Sequence, residues 1–110
     1  MSDEETRKML EQFQTYQSQL QSVLMQKSTI QLQLIEIDKA VEELDSAKNE
    51  NAYKITGQIM VSKPVSEIKS ELSEVKEALE LRLKSLEKNG ERLTGKLKDM
   101  ETELSKLVNK

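Results

Sequence analysis

The side chains that could take part in catalysis or metal binding are unevenly represented in this chain. Cysteine and histidine are absent from its 110 residues, whereas aspartate and glutamate together number 20. Without thiols and imidazoles, cysteine nucleophiles, histidine acid–base catalysis and the common zinc ligands are excluded. The carboxylates alternate with lysines at helical spacing, which is typical of a solvated helix surface. We therefore predict a protein that is not an enzyme and has no catalytic or metal-binding residues.

The rest of the composition argues against several other ligands. Gly57, Gly90 and Gly95 are isolated, so there is no glycine-rich phosphate loop and no cofactor is expected. A net charge of −3 with interleaved signs provides no basic stripe, and we expect neither nucleic-acid nor membrane binding. Residues 1–5 are rich in acid and the apolar runs are short, which predicts a cytoplasmic protein without a signal peptide or membrane span.

The elements that position these side chains follow from the spacing of apolar residues. With 35% hydrophobic and 34% charged residues, a compact core is not expected. In the first half, however, apolar residues alternate spacings of four and three, which predicts a coiled-coil helix over about residues 3–48. Ser2 and Glu5 match a capping box at its start, and Asn49-Glu50-Asn51 favours its end. The predicted seam consists of Met9, Phe13, Tyr16, Leu20, Val23, Lys27, Ile30, Leu34, Ile37, Val41 and Leu44.

A second helix is predicted over about residues 64–109, with Pro64 in its first turn. Two successive spacings of four between Val75 and Leu83 predict a stutter that locally unwinds the supercoil. Gly90 and Gly95 each cost about 1 kcal/mol relative to alanine inside a helix, so the distal half of this helix is expected to be soft. Its predicted seam consists of Val65, Ile68, Leu72, Val75, Leu79, Leu83, Leu86, Gly90, Leu93, Leu97, Met100, Leu104 and Leu107.

The segment between the helices, about residues 52–62, changes to β-branched and aromatic residues around Gly57-Gln58. This pattern predicts two short strands joined by a type II′ turn with glycine first. A lone hairpin is marginal in water, and its unpaired edges favour pairing with strands of other subunits. A three-residue loop would regroup the strand faces. With a two-residue loop, the predicted assembly residues are Tyr53, Ile55 and Met60 on one face and Ile59 and Val61 on the other.

Similar helix lengths and a short connection predict one mostly helical domain spanning residues 1–110. Its fold would be a long antiparallel two-helix coiled coil with a β-hairpin between the helices. Lys27, at a seam position, either fixes the register, which we favour, or binds a ligand. The nearly uncharged stretch Gln12–Ile35 is either an adaptable contact surface or neutral helix.

Large apolar side chains gather where the two chain ends are expected to meet. Methionine adapts easily to different partners, and exposed apolar patches mark binding surfaces. Leu10 and Val108 lie outside the seam, so completion of the coil core explains them least well. We predict that this end binds a partner. The candidate residues, called the tip residues below, are Met9, Leu10, Phe13, Tyr16, Met100, Leu104, Leu107 and Val108.

Three segments carry a family resemblance. They are the glutamine-rich residues 10–20, the linker YKITGQIMV at residues 53–61 and LELR at residues 79–82. Together they resemble prefoldin, specifically the β-type subunit of the archaeal-like protein, which has one hairpin where the α-type subunit has two. Pro64, Asn89-Gly90 and Gly95 depart from the family pattern, in which charged helix formers are expected at these places.

The resemblance implies an ATP-independent holdase chaperone without a cofactor. Two α-type and four β-type subunits would pool their hairpins into a β-barrel platform, giving a hexamer. The tip residues would hold unfolded polypeptides and deliver them to a cytosolic group II chaperonin. The alternative is a structural coiled-coil adaptor or spacer with one dedicated protein partner, which would be indifferent to unfolded proteins.

Overall fold

The computed structural model describes residues 3–108, without the side chain of Val108. Helix α1 covers Asp3–Ala47, strand β1 Asn51–Thr56, strand β2 Ile59–Pro64 and helix α2 Val65–Val108. The architecture is the predicted one, two long helices with an antiparallel two-stranded hairpin between them. Ser2 of the predicted capping box lies outside the described residues, as does the predicted end of the second helix at residue 109.

The ends of the helices next to the hairpin show how the chain changes direction. Lys48 follows α1 directly and has a φ of 55°, the left-handed conformation that glycine usually supplies after a helix. Pro64 was predicted to lie in the first turn of the second helix, but it ends β2 and pairs with Asn51, one residue before α2 begins. Its fixed φ is compatible with this place because an extended edge position needs no amide hydrogen from it.

By their contacts, the described residues form two compact units. The hairpin unit is Thr29–Leu83, and the terminal unit comprises the residues up to Ser28 and those from Lys84 onward. In the hairpin unit, Lys76 donates a hydrogen bond to Asp38 at 2.8 Å, and Lys69 forms an ion pair with Asp45. From Lys69 to Lys76 the residue number rises along α2, while that of the partner on α1 falls from Asp45 to Asp38. The two helical segments of this unit therefore run antiparallel.

The helical segments of the terminal unit also run antiparallel. Val23 lies against Gly90, where a Cβ added to the glycine would be 3.6 Å from Val23 Cγ1. Lys96 donates a hydrogen bond to the Tyr16 hydroxyl at 3.1 Å, and its Nζ lies 4.8 Å from the ring centroid, which adds a cation–π contact.

The buried residues follow the predicted coiled-coil seam. Every predicted seam position in α1 is buried or half-buried, including Lys27. In α2 this holds for every predicted seam position except Val75. The buried apolar side chains are few, as expected for two helices without a third layer. Among the described residues they are Val23, Ile30, Leu86 and Leu93.

The structure corrects the predicted seam at Val75, which is 48% exposed. The neighbouring Lys76 is half-buried instead and reaches Asp38 on α1. The half-buried residues Lys69, Leu72, Lys76, Leu79 and Leu83 alternate spacings of three and four, so the seam needs no stutter here. A lysine suits this position because its aliphatic stem packs in the seam while its ammonium group meets a carboxylate outside it.

The hairpin has the predicted two-residue loop. Thr56 pairs with Ile59, leaving Gly57 and Gln58 as the turn. Gly57 has a φ of 63°, and the φ of Gln58 is not positive. These signs match a type II′ turn, whose twist suits the right-handed twist of paired strands.

Candidate functional site

The two faces of the hairpin follow from its register. Ile55 pairs with Met60 and Tyr53 with Ser62, and successive side chains alternate between faces. Tyr53, Ile55 and Met60 therefore share one face, called the open face below. Ile59 and Val61 lie on the other face together with Lys54 and Lys63, which is called the lysine face.

The open face carries three large, strongly exposed apolar side chains. Ile55 is 72% exposed, Tyr53 70% and Met60 64%. Few chains leave three such side chains in water at adjacent positions unless another molecule covers them. On the lysine face, Val61 is less exposed at 39%, whereas Ile59 beside the turn is 66% exposed. The structure thus brings together the hairpin residues predicted for assembly and divides them between the two faces as expected from a two-residue loop.

The lysine face is tied to α2 by Glu71. Lys54 Nζ donates to Glu71 Oε2 at 2.9 Å, and Lys63 Nζ donates to Glu71 Oε1 at 2.7 Å. The hydrogen bonds from Lys63 and Lys54 lower the pKa of Glu71. The hydrogen bond to Glu71 raises the pKa of Lys63, although partial desolvation opposes this. We call this arrangement the Glu71 bridge.

A backbone hydrogen bond closes the base of the hairpin. The Val65 amide donates to the Glu50 carbonyl at 2.8 Å. This bond satisfies one of the amide groups that the first turn of α2 leaves without a helical acceptor. It lies next to the Asn51–Pro64 pair, the last pair of the strand ladder.

The tip residues lie in the terminal unit, where both helices contribute to them. Leu10 is 46% exposed, whereas the other described members occupy half-buried seam positions. Val108 is helical, but its side chain lies outside the described part of the chain. The half-buried members are Met9, Phe13, Tyr16, Met100, Leu104 and Leu107.

A groove lies beside the glycines of the terminal unit. Its volume is about 530 Å³, and Leu20, Val23, Lys27 and Gly90 are among its lining residues. Lys27 is half-buried there. Its position is compatible with the register-fixing role favoured above, which stays a prediction.

Sequence reasoning missed the cross-helix ion pairs and part of the exposed apolar surface. Glu71 was overlooked because it is one of many carboxylates on α2, although Lys54 and Lys63 on one strand face were a signal for an acidic partner. Exposed apolar side chains also occur outside the seam on both helices. They include Leu24, Met25, Leu32, Ile35 and Leu81.

Neither a metal centre nor a membrane span emerges from the described residues. Within residues 3–108, no group of three or more metal-ligating side chains converges. Over the same residues, no helix has the length and apolar character required to cross a bilayer.

The fold and its exposed surfaces define a class: two long helices joined by a β-hairpin that exposes large apolar side chains. A family model described as "Prefoldin subunit" matches residues 7–110. Prefoldin subunit beta of Thermococcus kodakarensis is 38% identical over 97 residues, covering 87% of this chain and 83% of that protein. Prefoldin subunit beta of Saccharolobus islandicus is 36% identical over 108 residues, covering 96% and 85%.

A solved structure agrees with these relatives. The crystal structure of the prefoldin beta subunit from Thermococcus strain KS-1 superposes with a TM-score of 0.84 at 36% sequence identity. The similarity covers 94% of this chain and 91% of that one. This chain belongs to the prefoldin family of chaperone subunits, and its relatives here are beta subunits.

Proposed function

We propose that this chain is a subunit of an ATP-independent holdase chaperone in the cytoplasm. Its hairpin joins it to other prefoldin subunits, and its tip residues hold unfolded polypeptides until they pass to a group II chaperonin. The observation that carries the assembly step is the exposure of the open face, where Tyr53, Ile55 and Met60 are each more than 60% exposed.

Assembly through the hairpin has a physical driving force. Covering three large apolar side chains is worth about 2 kcal/mol each, before the entropic cost of association is subtracted. A two-stranded sheet is marginal by itself, and both of its edges have unpaired backbone groups. Strands contributed by other subunits would satisfy those groups and cover the open face in the same step.

The proposed complex contains two α-type and four β-type subunits, with the hairpins pooled in a β-barrel. The beta-subunit relatives support a β-type role for this chain. The hexameric stoichiometry rests on family resemblance, and the exposed hairpin is compatible with it.

Client binding at the tip residues would be weak for each chain and strong for the assembly. Leu10 offers an exposed side chain, and Met9 and Met100 add adaptable, unbranched side chains at half-buried positions. Several chains in one complex would contact a single unfolded polypeptide together, which raises the overall affinity without tight individual contacts.

The adaptor alternative is favoured by one observation: most described tip residues are half-buried in the seam. In that function the ends complete the coil, and a dedicated partner docks elsewhere. Its distinguishing property is indifference to unfolded proteins.

The test measures whether the purified chain, alone and mixed with an α-type subunit, keeps a denatured client soluble without ATP. Mass is measured in parallel. We expect a complex of hexamer size to suppress aggregation. Deletion of residues 1–12 and 103–110 should abolish this suppression but leave the number of subunits in the complex unchanged. Suppression that survives this deletion would exclude the tip residues as the client site.

Matched substitutions refine the tests of client binding and of assembly. Leu10→Ser should weaken client protection, whereas Leu81→Ser, which also alters an exposed helical leucine, should not. Ile55→Asp combined with Val61→Asp should release free chains, while Gln58→Asp in the turn adds a charge without removing apolar surface. An assembled complex that never protects a client would establish the adaptor instead.

A further inference from the structure

A single carboxylate holds both strands of the hairpin. Glu71 lies in the second turn of α2, and each of its carboxylate oxygens accepts a hydrogen bond from one lysine. Oε2 lies 2.9 Å from Lys54 Nζ, and Oε1 lies 2.7 Å from Lys63 Nζ. Lys54 belongs to β1 and Lys63 to β2. The Glu67 carboxylate is a more distant neighbour of Lys63 at 3.9 Å. The Glu71 bridge therefore attaches the two-stranded sheet as a whole to α2.

The bridge acts on one face of the hairpin only. Lys54 pairs with Val61, which precedes Lys63 by two residues, so both ammonium groups leave the sheet from the same side. That side is turned towards α2. The opposite side is the open face, which keeps its high exposure.

Apart from the bridge and the longer Lys63–Glu67 ion pair, the described residues show few links that set the angle of the hairpin. Its connection to α1 is the irregular segment 48–50, and its connection to α2 is the Pro64–Val65 step. The backbone bond from Val65 to Glu50 closes the base, but a single bond at the base lets the sheet pivot. Lys54 lies at the middle of β1, so its attachment removes that freedom.

We propose that Glu71 is a positioning residue for assembly, holding the lysine face against α2 so that the open face is presented to the strands of neighbouring subunits. This inference rests on the proposed function, since it takes the hairpin as the assembly element. A preset orientation strengthens association because less conformational freedom is lost on binding.

The electrostatics of the bridge fit orientation rather than global stability. Glu71 and its lysines are partly exposed, and exposed ion pairs contribute little to folding free energy. The pKa of Glu71 is lowered by its two hydrogen bonds and that of Lys63 is raised. Glu71 and Lys63 are consequently both charged at neutral pH, and each stabilises the charged form of the other.

The experiment compares Glu71→Gln with Glu77→Gln, which removes the same charge from an exposed site on α2 with no ion pair among residues 3–108. Because the chain contains no cysteine, spin labels are introduced by Gln58→Cys and Ala78→Cys. The distance distribution between them is measured in the isolated chain. Assembly is measured as mass against concentration with an α-type subunit present.

We expect Glu71→Gln to broaden the label distribution and to weaken assembly roughly tenfold, with helix content and thermal unfolding unchanged. Glu77→Gln should resemble the wild type in every readout. Reversing the charges, with Lys54→Glu, Lys63→Glu and Glu71→Lys combined, should restore a narrow distribution and recover assembly. A merely structural role for Glu71 would instead lower the thermal stability of Glu71→Gln along with its assembly.

Two results overturn different statements. If Glu71→Gln assembles like the wild type while Ile55→Asp does not, Glu71 is not a positioning residue and the proposed function stands. If Ile55→Asp also assembles normally, the hairpin is not the assembly surface and the proposed function falls, together with the role of Glu71.

Discussion

Replacing Gly95 with alanine is expected to stabilise the terminal unit by about 1 kcal/mol. A Cβ built on Gly95 finds no heavy atom within 4 Å beyond its own helical neighbourhood, so alanine meets no steric conflict. The gain comes from backbone entropy, because glycine loses more conformational freedom than alanine when a helix forms.

Gly90→Ala should stabilise by more, about 1.5–2 kcal/mol. Its added Cβ would lie 3.6 Å from Val23 Cγ1 and 4.0 Å from Leu20 Cδ1, which are ordinary van der Waals contacts. The methyl group thus adds buried apolar surface to the propensity gain. For a chain of this size, each kcal/mol corresponds to a rise of about 4 °C in Tm.

Thermal unfolding followed by circular dichroism, at one fixed protein concentration, measures these shifts. Ala78→Gly on exposed α2 surface is the matched control and should lower stability by about 1 kcal/mol. A destabilised Gly90→Ala beside a stabilised Gly95→Ala would show that the helices need glycine for their approach at this place, contrary to the 3.6 Å contact. A neutral Gly95→Ala would refute the propensity reasoning itself.

Three further predictions concern the hairpin and its connections. Lys48→Gly should stabilise by about 1 kcal/mol in thermal unfolding, because Lys48 has a φ of 55°. Gly57→Ala, at a φ of 63°, should destabilise by about 1–2 kcal/mol and speed amide exchange in the strands. Since hydrogen bonds from Lys63 and Lys54 lower the pKa of Glu71, the Glu71 bridge should persist above the ordinary glutamate pKa. It should be lost as the pH falls through the lowered value, which broadens the spin-label distribution.

Each of these has a clear contrary outcome. A Lys48→Gly variant with a lower Tm than the wild type would mean that the lysine side chain stabilises the fold by more than its left-handed backbone conformation destabilises it. Unchanged amide exchange in Gly57→Ala would show that the turn tolerates a side chain. In alkaline solution, the raised pKa of Lys63 should keep its bond to Glu71 until the pH rises through that value; release well below the ordinary lysine pKa would contradict the assignment.

Much of the fold was predictable because its signals are local and periodic. Alternating spacings of four and three place the apolar residues on one face of each helix, and a helix of this composition has no other way to bury them. Glycine first in Gly57-Gln58 specified the turn, and the turn specified which strand residues share a face. The residues proposed for assembly follow directly from that register.

The tertiary structure decided what periodicity does not encode. The hydrophobic pattern predicts Val75 as a seam residue, but Val75 is exposed in the folded chain. Lys76 occupies the seam position instead, and its ammonium group donates a hydrogen bond to Asp38 on α1. The choice depends on a carboxylate 38 residues away. The Glu71 bridge is also a matter of tertiary structure, since many carboxylates line α2 and the sequence does not indicate which of them Lys54 and Lys63 reach. Lysine can occupy such positions because its aliphatic stem packs against apolar residues while its ammonium group binds a carboxylate. Only the folded chain brings that carboxylate within reach, so the sequence pattern does not indicate it.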